Sequence, residues 1–391
     1  MWDKGGVLAV AALSDGQWIA MGGEQKNITL WNATTCEKAI ELEGHSNDVQ
    51  SLEFSPDSVR VVSGLTDKTV IIWSTTTTTT TTGKCLLGPL KGHAKRIREA
   101  HFSLNGNKIA SCDGHDIHDS IKCFSSSTGA LLAEWKAHPD IITSITLSSN
   151  GKFMASTSHN RTVYLWDMTT LAHIGPTLQC GDEVYSVAIS PAGSHLLSGG
   201  HDMKIHIWSL EGMVPRDGPA TLGPLKGHTN SVWEAHFSPN GNKVTSCDGD
   251  DICIWNSHSG DLVIAVNAVF FAWTPDGQQL IAGCGDGSIK CIASSTGSLI
   301  ADWKAHTNLV HSISVSPNCK FLACASPDKS VRLWAMMTSM QIGPPLQCPD
   351  RVYSVAISPD GTHLARGGRD STVRIWRLEG MVSPSLFNDT P

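Results

Sequence analysis

The amino-acid sequence predicts an all-β protein in which one small unit is repeated along the chain. Residues 44–73 hold two runs that alternate apolar and polar residues, followed by a β-branched run that ends on Trp73. Turn-forming residues separate these runs at 55–57 and 64–68. This period of two between turns is typical of three short antiparallel strands. Almost the same pattern occurs eight more times, which indicates a repeat protein.

The repeats align on the residue that closes the third strand, and five of the eight steps between these residues are 42 positions long. A fourth strand follows after a short turn, as at 131–135 and 299–303. A longer block, 135–214, reappears at 303–382, which indicates duplication within one gene. The nine closing positions are Trp31, Trp73, Phe124, Trp166, Trp208, Trp255, Ile292, Trp334 and Trp376.

Composition and charge exclude several classes of function. The formal net charge of −7 argues against nonspecific binding of nucleic acid, which requires a strongly basic surface. No run approaches the roughly 18 apolar residues of a membrane helix, and the first residues lack the apolar segment of a signal peptide. The 12 cysteines recur with the repeats and form no C-x-x-C pair, as expected for reduced thiols. We therefore expect a cytoplasmic protein that binds neither nucleic acid nor membrane.

Short dipeptides mark the two ends of the repeat. A Gly-His pair such as Gly44-His45 precedes several first strands, and Trp166-Asp167 closes one third strand. In this pattern the chain resembles the WD-repeat family over essentially its whole length. The unit of that family is a four-stranded blade of about 40–45 residues. The repeats are also closely similar to one another, and in this respect the chain resembles the WD-repeat regions of fungal signalling NTPases.

The resemblance implies a single β-propeller of nine four-stranded antiparallel blades that spans residues 1–391. A blade has two apolar faces, so a ring of seven would leave two blades with open faces. The alternative is eight blades with the seventh repeat distorted, because that repeat ends on Ile292 and has no Gly-His histidine. Residues 2–3 align with the Gly-His position. The last blade is therefore expected to take its outer strand from 380–387, and the ring to close by packing of blade faces. The alternative is that the chain is part of a longer protein and that the ring closes only in that context.

The family resemblance also implies a buried hydrogen-bond relay in each complete repeat. The relay links the Gly-His histidine, a Ser or Thr of the second strand, an Asp of the next turn and the closing indole. Each of these groups needs a partner when it is buried. Three repeats carry the set, one of them with Asn in place of Asp. The relay residues are His45, Ser63, Asp67 and Trp73; His138, Ser156, Asn160 and Trp166; and His228, Ser246, Asp250 and Trp255.

Partners of WD-repeat proteins usually bind the face formed by the loops that join fourth to first strands and second to third strands. The position after the first apolar residue of each first strand lies on that face. Here it carries residue types that are enriched in binding hot spots, although two tyrosines are also explained as duplicates kept by packing. The predicted partner-binding residues are Gln50, Arg98, Tyr185, Trp233, His311 and Tyr353 at this position, and Thr66, His159, His201 and Arg369 in the second-to-third turns.

No catalytic motif occurs in the sequence, and no cofactor is expected. One cluster at 112–119 is rich in His and Asp, the residue types of a metal site, but its spacing matches no known site. The function that fits best is a non-catalytic, monomeric scaffold that binds a protein or peptide through its loops. One alternative is a ligand-sensing domain of a larger signalling protein. Another is a metal-binding or enzymatic propeller that uses its central channel.

Overall fold

Each repeat of the sequence folds into its own antiparallel sheet, in which the strands pair in chain order. The nine sheets stand side by side in a ring and form a nine-bladed β-propeller, which confirms the predicted fold class. The computed structural model describes residues 7–12, 18–23, 26–32, 37–75, 85–103, 105–114, 119–136, 138–210, 221–358, 360–370 and 373–386.

Eight blades have four strands, and the ninth has three in the described part of the chain. Blades 1 to 3 consist of β1 Val7–Ala12, β2 Trp18–Gly23, β3 Ile28–Asn32, β4 Glu37–Leu42, β5 Val49–Phe54, β6 Arg60–Leu65, β7 Val70–Ser74, β8 Cys85–Leu90, β9 Ile97–Phe102, β10 Lys108–Asp113, β11 Ile121–Ser125 and β12 Leu131–Trp135. Blades 4 to 6 consist of β13 Ile142–Leu147, β14 Phe153–Ser158, β15 Thr162–Asp167, β16 Leu178–Gln179, β17 Val184–Ile189, β18 His195–Gly200, β19 Lys204–Ser209, β20 Thr221–Lys226, β21 Glu234–Phe237, β22 Lys243–Cys247, β23 Asp251–Asn256 and β24 Leu262–Asn267. Blades 7 to 9 consist of β25 Phe270–Trp273, β26 Gln279–Gly283, β27 Ser288–Ala293, β28 Leu299–Lys304, β29 Ser312–Val315, β30 Phe321–Ser326, β31 Ser330–Ala335, β32 Gln341–Gln347, β33 Val352–Ile357, β34 His363–Gly368 and β35 Val373–Arg377, before a 3-10 helix at Pro384–Leu386.

The hydrophobic core is divided into clusters that fill the spaces between neighbouring blades. Between blades 2 and 3, Val62 and Ile72 pack against Ile97, and all three are fully buried. The alternation of apolar residues along each strand gives a blade two such faces. Because both faces need a neighbour, the stable arrangement of the repeats is a closed ring.

Neighbouring blades approach each other closely at the end of the second strand. A Cβ added to Gly64 would lie 2.5 Å from Cγ2 of Ile97 in the next blade. A Cβ on Gly199 would lie 2.7 Å from Cγ1 of Val232 in the same way. Glycine at these positions therefore allows the first strand of the following blade to pack against the sheet.

The ring closes where blade 9 meets blade 1. Met21 and Ala365 are buried at this junction, and Trp31 and Ile375 pack against them. In the described part of the chain, no strand of blade 1 joins the sheet of blade 9. The ends are therefore joined by packing of blade faces, as the alignment predicts.

The seventh repeat forms a complete blade, so the alternative of eight blades is wrong. Its strands β25 to β28 pair in order, and its closing residue Ile292 is fully buried. Ile292 packs with Ile254 and Leu280 in the cluster between blades 6 and 7. Apolar packing is sufficient to hold a blade that has no relay.

The described chain end does not supply the outer strand of blade 9, so the prediction of a strand at 380–387 is wrong. Leu378 and Val382 are instead buried in the cluster between blades 8 and 9. Asn318 Nδ2 donates a hydrogen bond to the carbonyl of Leu386 at 2.7 Å. The tail therefore packs its apolar side chains into the interface between blades 8 and 9.

The described cysteines are free thiols, as their spacing in the sequence predicts. Eleven cysteines lie in the described part of the chain, and most of them are buried. Burial raises the pKa of Cys123 and Cys291 to about 11, which keeps these thiols protonated. No helix among the described residues has the length and apolar character needed to cross a bilayer.

Candidate partner-binding face

The position predicted to bind partners is a β-bulge in six blades. In blade 2, Gln50 is the residue left over between Val49 and Ser51, which both have partners in β6. A bulge turns the extra side chain out of the regular alternation of the strand. The extra residues are Leu8, Gln50, Arg98, Thr143, Tyr185 and Tyr353.

The other three blades reach the same geometry just before the first strand begins. The amide of Trp233 donates to the carbonyl of Cys247 at 3.0 Å, although Cys247 is already opposite Glu234. Val269 and His311 repeat this arrangement of two residues against one. A bulge in every blade explains how large side chains stand at a position where a regular strand would carry a small one.

The four predicted turn residues lie beside these bulges. The amide of each donates at 2.8–3.1 Å to a carbonyl two residues before the bulge of its own blade. The donors are Thr66, His159, His201 and Arg369, and the acceptors are Asp48, Ile141, Glu183 and Arg351. Bulges and turns therefore form one surface, which we call the loop face.

Four predicted residues from blades 4 to 6 form one group, the aromatic pad, which consists of His159, Tyr185, His201 and Trp233. The rings of Tyr185 and Trp233 are stacked, with centroids 4.9 Å apart and planes at 7°. The rings of His159 and His201 meet Tyr185 edge-on at 5.7 and 6.5 Å. Trp233 is 57% exposed, so the pad presents a flat aromatic surface to solvent.

A second aromatic cluster lies on blades 7 to 9. The ring of His311 stacks on Phe270 at 4.6 Å and contacts Tyr353 at 5.0 Å. His311 Nδ1 donates to the carbonyl of Tyr353 at 2.9 Å, which fixes the orientation of the ring. Val269 is the bulge residue of blade 7, and Phe270 was not among the predicted residues. The only signal for Phe270 was its place directly after that bulge.

The remaining predicted residues join neither aromatic group. Arg98 is exposed on blade 3, and Gln50 is half-buried on blade 2. Thr66 is half-buried, and its Oγ1 donates to the carbonyl of Asp48 at 3.2 Å. Arg369 is exposed in the turn of blade 9. The loop face therefore carries aromatic side chains from blade 4 to blade 9, and polar side chains on blades 2, 3 and 9.

Buried relays hold the loops of this face in place. In blade 2, the indole N–H of Trp73 donates to Ser63 Oγ at 2.8 Å, and Ser63 Oγ lies 2.6 Å from His45 Nε2. His45 Nδ1 lies 3.2 Å from Asp67 Oδ2, which also accepts from the amide of Ser46 at 3.0 Å. A proton on Nδ1 of the histidine satisfies every member. The relay thereby ties the fourth-to-first loop to the second-to-third turn.

Blade 4 builds the same relay with an amide in place of the carboxylate. Ser156 Oγ accepts the indole N–H of Trp166 at 3.1 Å and lies 2.8 Å from His138 Nε2. His138 Nδ1 lies 3.3 Å from Asn160 Oδ1 and 3.0 Å from Thr162 Oγ1. The substituted asparagine therefore still offers an oxygen to the histidine.

In blade 6 the relay carboxylate is Asp248, and the assignment of Asp250 is wrong. His228 Nδ1 lies 3.0 Å from Asp248 Oδ2, and both side chains are fully buried. Asp250 is exposed and accepts from Asn230 Nδ2 at 2.9 Å. The turn of this repeat is one residue shorter than in blade 2. That shortening moves position 250 to the surface and leaves the strand-end aspartate beneath His228.

Two further relays were missed in the sequence. In blade 8, His306 Nδ1 lies 2.9 Å from Asp328 Oδ2, and Nε2 lies 3.0 Å from Cys324 Sγ. In blade 3, His93 Nδ1 lies 3.1 Å from Asp113 Oδ2 at the end of the second strand. Both histidines belong to dipeptides of the Gly-His or Ala-His type, Gly92-His93 and Ala305-His306. Their partners went unrecognised because a cysteine replaces the serine in one blade and the aspartate is displaced in the other.

Buried neutral histidines are expected to make stability depend on pH. Desolvation lowers the pKa of His45 and His138 to about 4, from an ordinary value of 6.5. The unfolded chain therefore binds these protons at a higher pH than the folded chain does. The contribution of these neutral histidines to the free energy of unfolding is complete above about pH 6.5 and decreases as the pH falls toward 4. We expect a loss of roughly 1–3 kcal/mol for each histidine.

Urea unfolding near pH 7.5 and near pH 5 measures this dependence. His138→Gln should lower the free energy of unfolding at the higher pH and should make it vary less with pH. His258→Gln, at an exposed histidine, should keep the pH-dependence of the parent. A parental pH-dependence in His138→Gln would contradict the assignment of a neutral buried histidine.

Carboxylates and a histidine also meet on the inner strands of blades 2 and 3. His101 Nδ1 lies 3.3 Å from Glu53, and its Nε2 lies 3.7 Å from Glu99. Desolvation lowers the pKa of His101, but hydrogen bonds to the two carboxylates outweigh it and raise the pKa. The same carboxylates accept the amides of Phe102 and Ile145 in the following blades at 2.8 Å. They therefore satisfy backbone amides at the edges of neighbouring inner strands.

Within the described residues, no three His, Cys, Asp or Glu side chains come together as a metal site. Of the cluster at 112–119, residues 115–118 lie outside the described part of the chain. Asp113 belongs to the relay of blade 3, and Asp119 pairs with Lys95 at 3.0 Å. The described acidic members of the cluster are therefore engaged in structural contacts.

A ring of small antiparallel sheets, with buried relays that hold the loops on one face, defines a repeat propeller. The WD domain, G-beta repeat family matches most of the chain, and the chain belongs to this family. The residues from 75 to 128 lie outside the matched segments, although they contain the first three strands of blade 3. The matched segments are 3–32, 36–74, 129–167, 172–209, 220–256, 252–292, 297–335 and 344–377.

Two relatives share this repeat region at low identity. The transcriptional corepressor LEUNIG_HOMOLOG of Arabidopsis thaliana is 22% identical over 334 residues, which cover 82% of this chain and 34% of the corepressor. Protein hir1 of Schizosaccharomyces pombe is 25% identical over 336 residues, which cover 73% of this chain and 36% of hir1. The aligned region is thus only about a third of the length of each of these relatives.

Two solved structures share the fold of this chain. Sqt1 from Chaetomium thermophilum, bound to the N-terminus of the ribosomal protein L10, superposes with a TM-score of 0.69 at 16% identity and covers 95% of this chain and 97% of its own. The computationally designed Ika8 protein superposes with a TM-score of 0.66 at 20% identity and covers 95% of this chain and 96% of its own. At these identities the likeness establishes the fold.

Proposed function

We propose that this chain is a non-catalytic scaffold that binds a segment of a protein partner on its loop face. The observation that carries the proposal is the aromatic pad, in which the exposed ring of Trp233 is stacked on Tyr185 at 4.9 Å. Stacking fixes both side chains before a partner arrives, so little conformational entropy is lost on binding. Exposed Trp and Tyr side chains are also the residue types most enriched in binding hot spots.

Carboxylates around the pad favour a partner with cationic side chains. The hydroxyl of Tyr185 donates to Glu183 at 2.9 Å. Burial and this hydrogen bond raise the pKa of Tyr185 to about 12, so the phenol stays neutral. Glu234 is exposed directly after Trp233, and the indole lies against the turn that carries Asp250. An Arg or Lys over the indole would combine cation–π attraction with attraction to these carboxylates.

The comparisons support a binding role and leave the partner open. Sqt1, which shares the fold, binds the N-terminus of another protein, and one relative is named as a transcriptional corepressor. We propose a monomer in the cytoplasm, and the free buried thiols support that compartment. The aligned region is about a third of the length of the two relatives described above. An alternative proposal is therefore that the loop face is the ligand-sensing surface of a larger signalling protein.

Selection of peptides displayed on phage tests the proposal, with the full chain as bait and random peptides of roughly a dozen residues as the library. We expect enriched peptides that contain Arg or Lys and bind with micromolar Kd. The selection is repeated against a double variant, Tyr185→Ser with Trp233→Ser. The matched control is Met337→Ser, which alters a 91% exposed side chain in a third-to-fourth turn, on the opposite face.

Enrichment should be lost with the double variant and retained with the control variant. Failure of the parent chain to enrich any peptide would refute the proposal. Equal enrichment on the parent and on the double variant would show that the peptides bind elsewhere, and would also refute it.

A further inference from the structure

Among the described residues, the outer edge of blade 9 has no strand like those that cover the other eight blades. In the described chain β35 pairs with β34 alone, whereas every other third strand also pairs with a fourth strand. Ile375 and Trp376 are half-buried in this strand. An uncovered edge offers backbone N–H and C=O groups to a further strand.

Two covered blades show which residues face this position. In blade 3, Lys122 of β11 is opposite Glu134 of β12, with Nζ 2.8 Å from Oε1. In blade 7, Lys290 of β27 is opposite Asp302 of β28. In both blades a cation stands two residues before the closing residue of the third strand, and an acidic residue of the fourth strand faces it.

Arg374 occupies the same position in β35, two residues before the closing Trp376. It is exposed, and its guanidinium lies 5.6 Å from the centroid of the Trp376 ring. The register of blades 3 and 7 places an acidic residue opposite Arg374 and an alanine opposite Ile375. By analogy with these two blades, charge and size favour a strand with an acidic residue opposite Arg374.

We infer that blade 9 binds an extended segment of another polypeptide as its fourth strand, with an Asp or Glu opposite Arg374. The segment would imitate β12, which reads Leu-Leu-Ala-Glu-Trp, and β28, which begins Leu-Ile-Ala-Asp-Trp. Backbone hydrogen bonds would supply affinity, and the acidic residue would set the register. This surface lies on the rim of the ring and is independent of the function proposed for the loop face.

Binding of a capped peptide with the sequence of residues 130–135 to the full chain tests this inference. A second peptide carries Glu134→Lys. The parent should bind the first peptide about tenfold more tightly than the second, because the first places opposite charges across the strand pair. Arg374→Glu should reverse this preference. Arg351→Glu makes the same charge change at another exposed arginine and should keep the parental preference.

Amide hydrogen exchange identifies what occupies the edge. The amides of β35 that point away from β34 should exchange rapidly in the free chain and slowly with the first peptide bound. Slow exchange of these amides in the free monomer would show that the chain covers its own edge. Protection that appears only in a dimer would assign the edge to a second copy. Either result overturns the inference, as does a preference unaffected by Arg374→Glu or the absence of binding at millimolar peptide.

Discussion

Asp248→Ala is expected to lower the free energy of unfolding by about 2–4 kcal/mol, whereas Asp250→Ala should change it by less than about 0.5 kcal/mol. The two residues are neighbours in one turn and have the same side chain. Asp248 is fully buried and pairs with His228 Nδ1 at 3.0 Å. Its Oδ1 also accepts the amides of Asp250 and Asp251 at 3.0 and 2.8 Å. Alanine would leave the buried His228 without its carboxylate partner and would remove the acceptor of the two amides.

Urea unfolding of the two variants at neutral pH measures the difference. The pair forms its own control, because each variant removes one carboxylate from the same short turn. A further variant, Asp248→Asn, keeps one acceptor oxygen and should lose less stability than the alanine variant, as the natural Asn160 of blade 4 suggests. Equal losses for Asp248→Ala and Asp250→Ala would mean that the relay of blade 6 is not the one described.

Trp233→Ala is expected to weaken binding of a peptide selected on the loop face by at least about 30-fold, which corresponds to about 2 kcal/mol. The substitution removes the exposed half of the stacked pair and leaves Tyr185 without its cover. Because Trp233 is 57% exposed, the fold should tolerate the change. Fluorescence anisotropy with a labelled peptide measures the Kd.

Met337→Ala is the matched control for this measurement, since it also shortens a large exposed apolar side chain and lies on the opposite face. Its Kd should equal that of the parent. Trp233→Phe should retain part of the affinity, because a smaller ring can still stack on Tyr185. If Trp233→Ala and Met337→Ala bound the peptide equally well, the aromatic pad would not be the binding surface.

The fold follows from the sequence because the information for each blade is local. Alternating runs, short turns and a closing apolar residue such as Trp73 are all contained in one repeat. Ile292 shows why the loss of a tryptophan and a histidine does not remove a blade: an isoleucine still fills the space between two sheets. The count of blades therefore depends on packing faces and not on the relay.

Details of the site depend on geometry that the sequence does not contain. The positions of Tyr185 and Trp233 were predictable, but the bulge that exposes them is a matter of register between strands. A turn shortened by one residue changed the relay partner from Asp250 to Asp248. Phe270 went unrecognised because its contact with His311 joins two blades.

Photo-crosslinking of a selected peptide that carries a benzophenone residue tests the central claim most directly. After irradiation with the full chain, mass spectrometry identifies the attached segments. The account predicts crosslinks to the segments that contain Tyr185 or Trp233, and their loss when an excess of unlabelled peptide competes. Crosslinks confined to the turns on the opposite face, such as the one that contains Met337, would contradict the proposal that this propeller binds partners through its loop face.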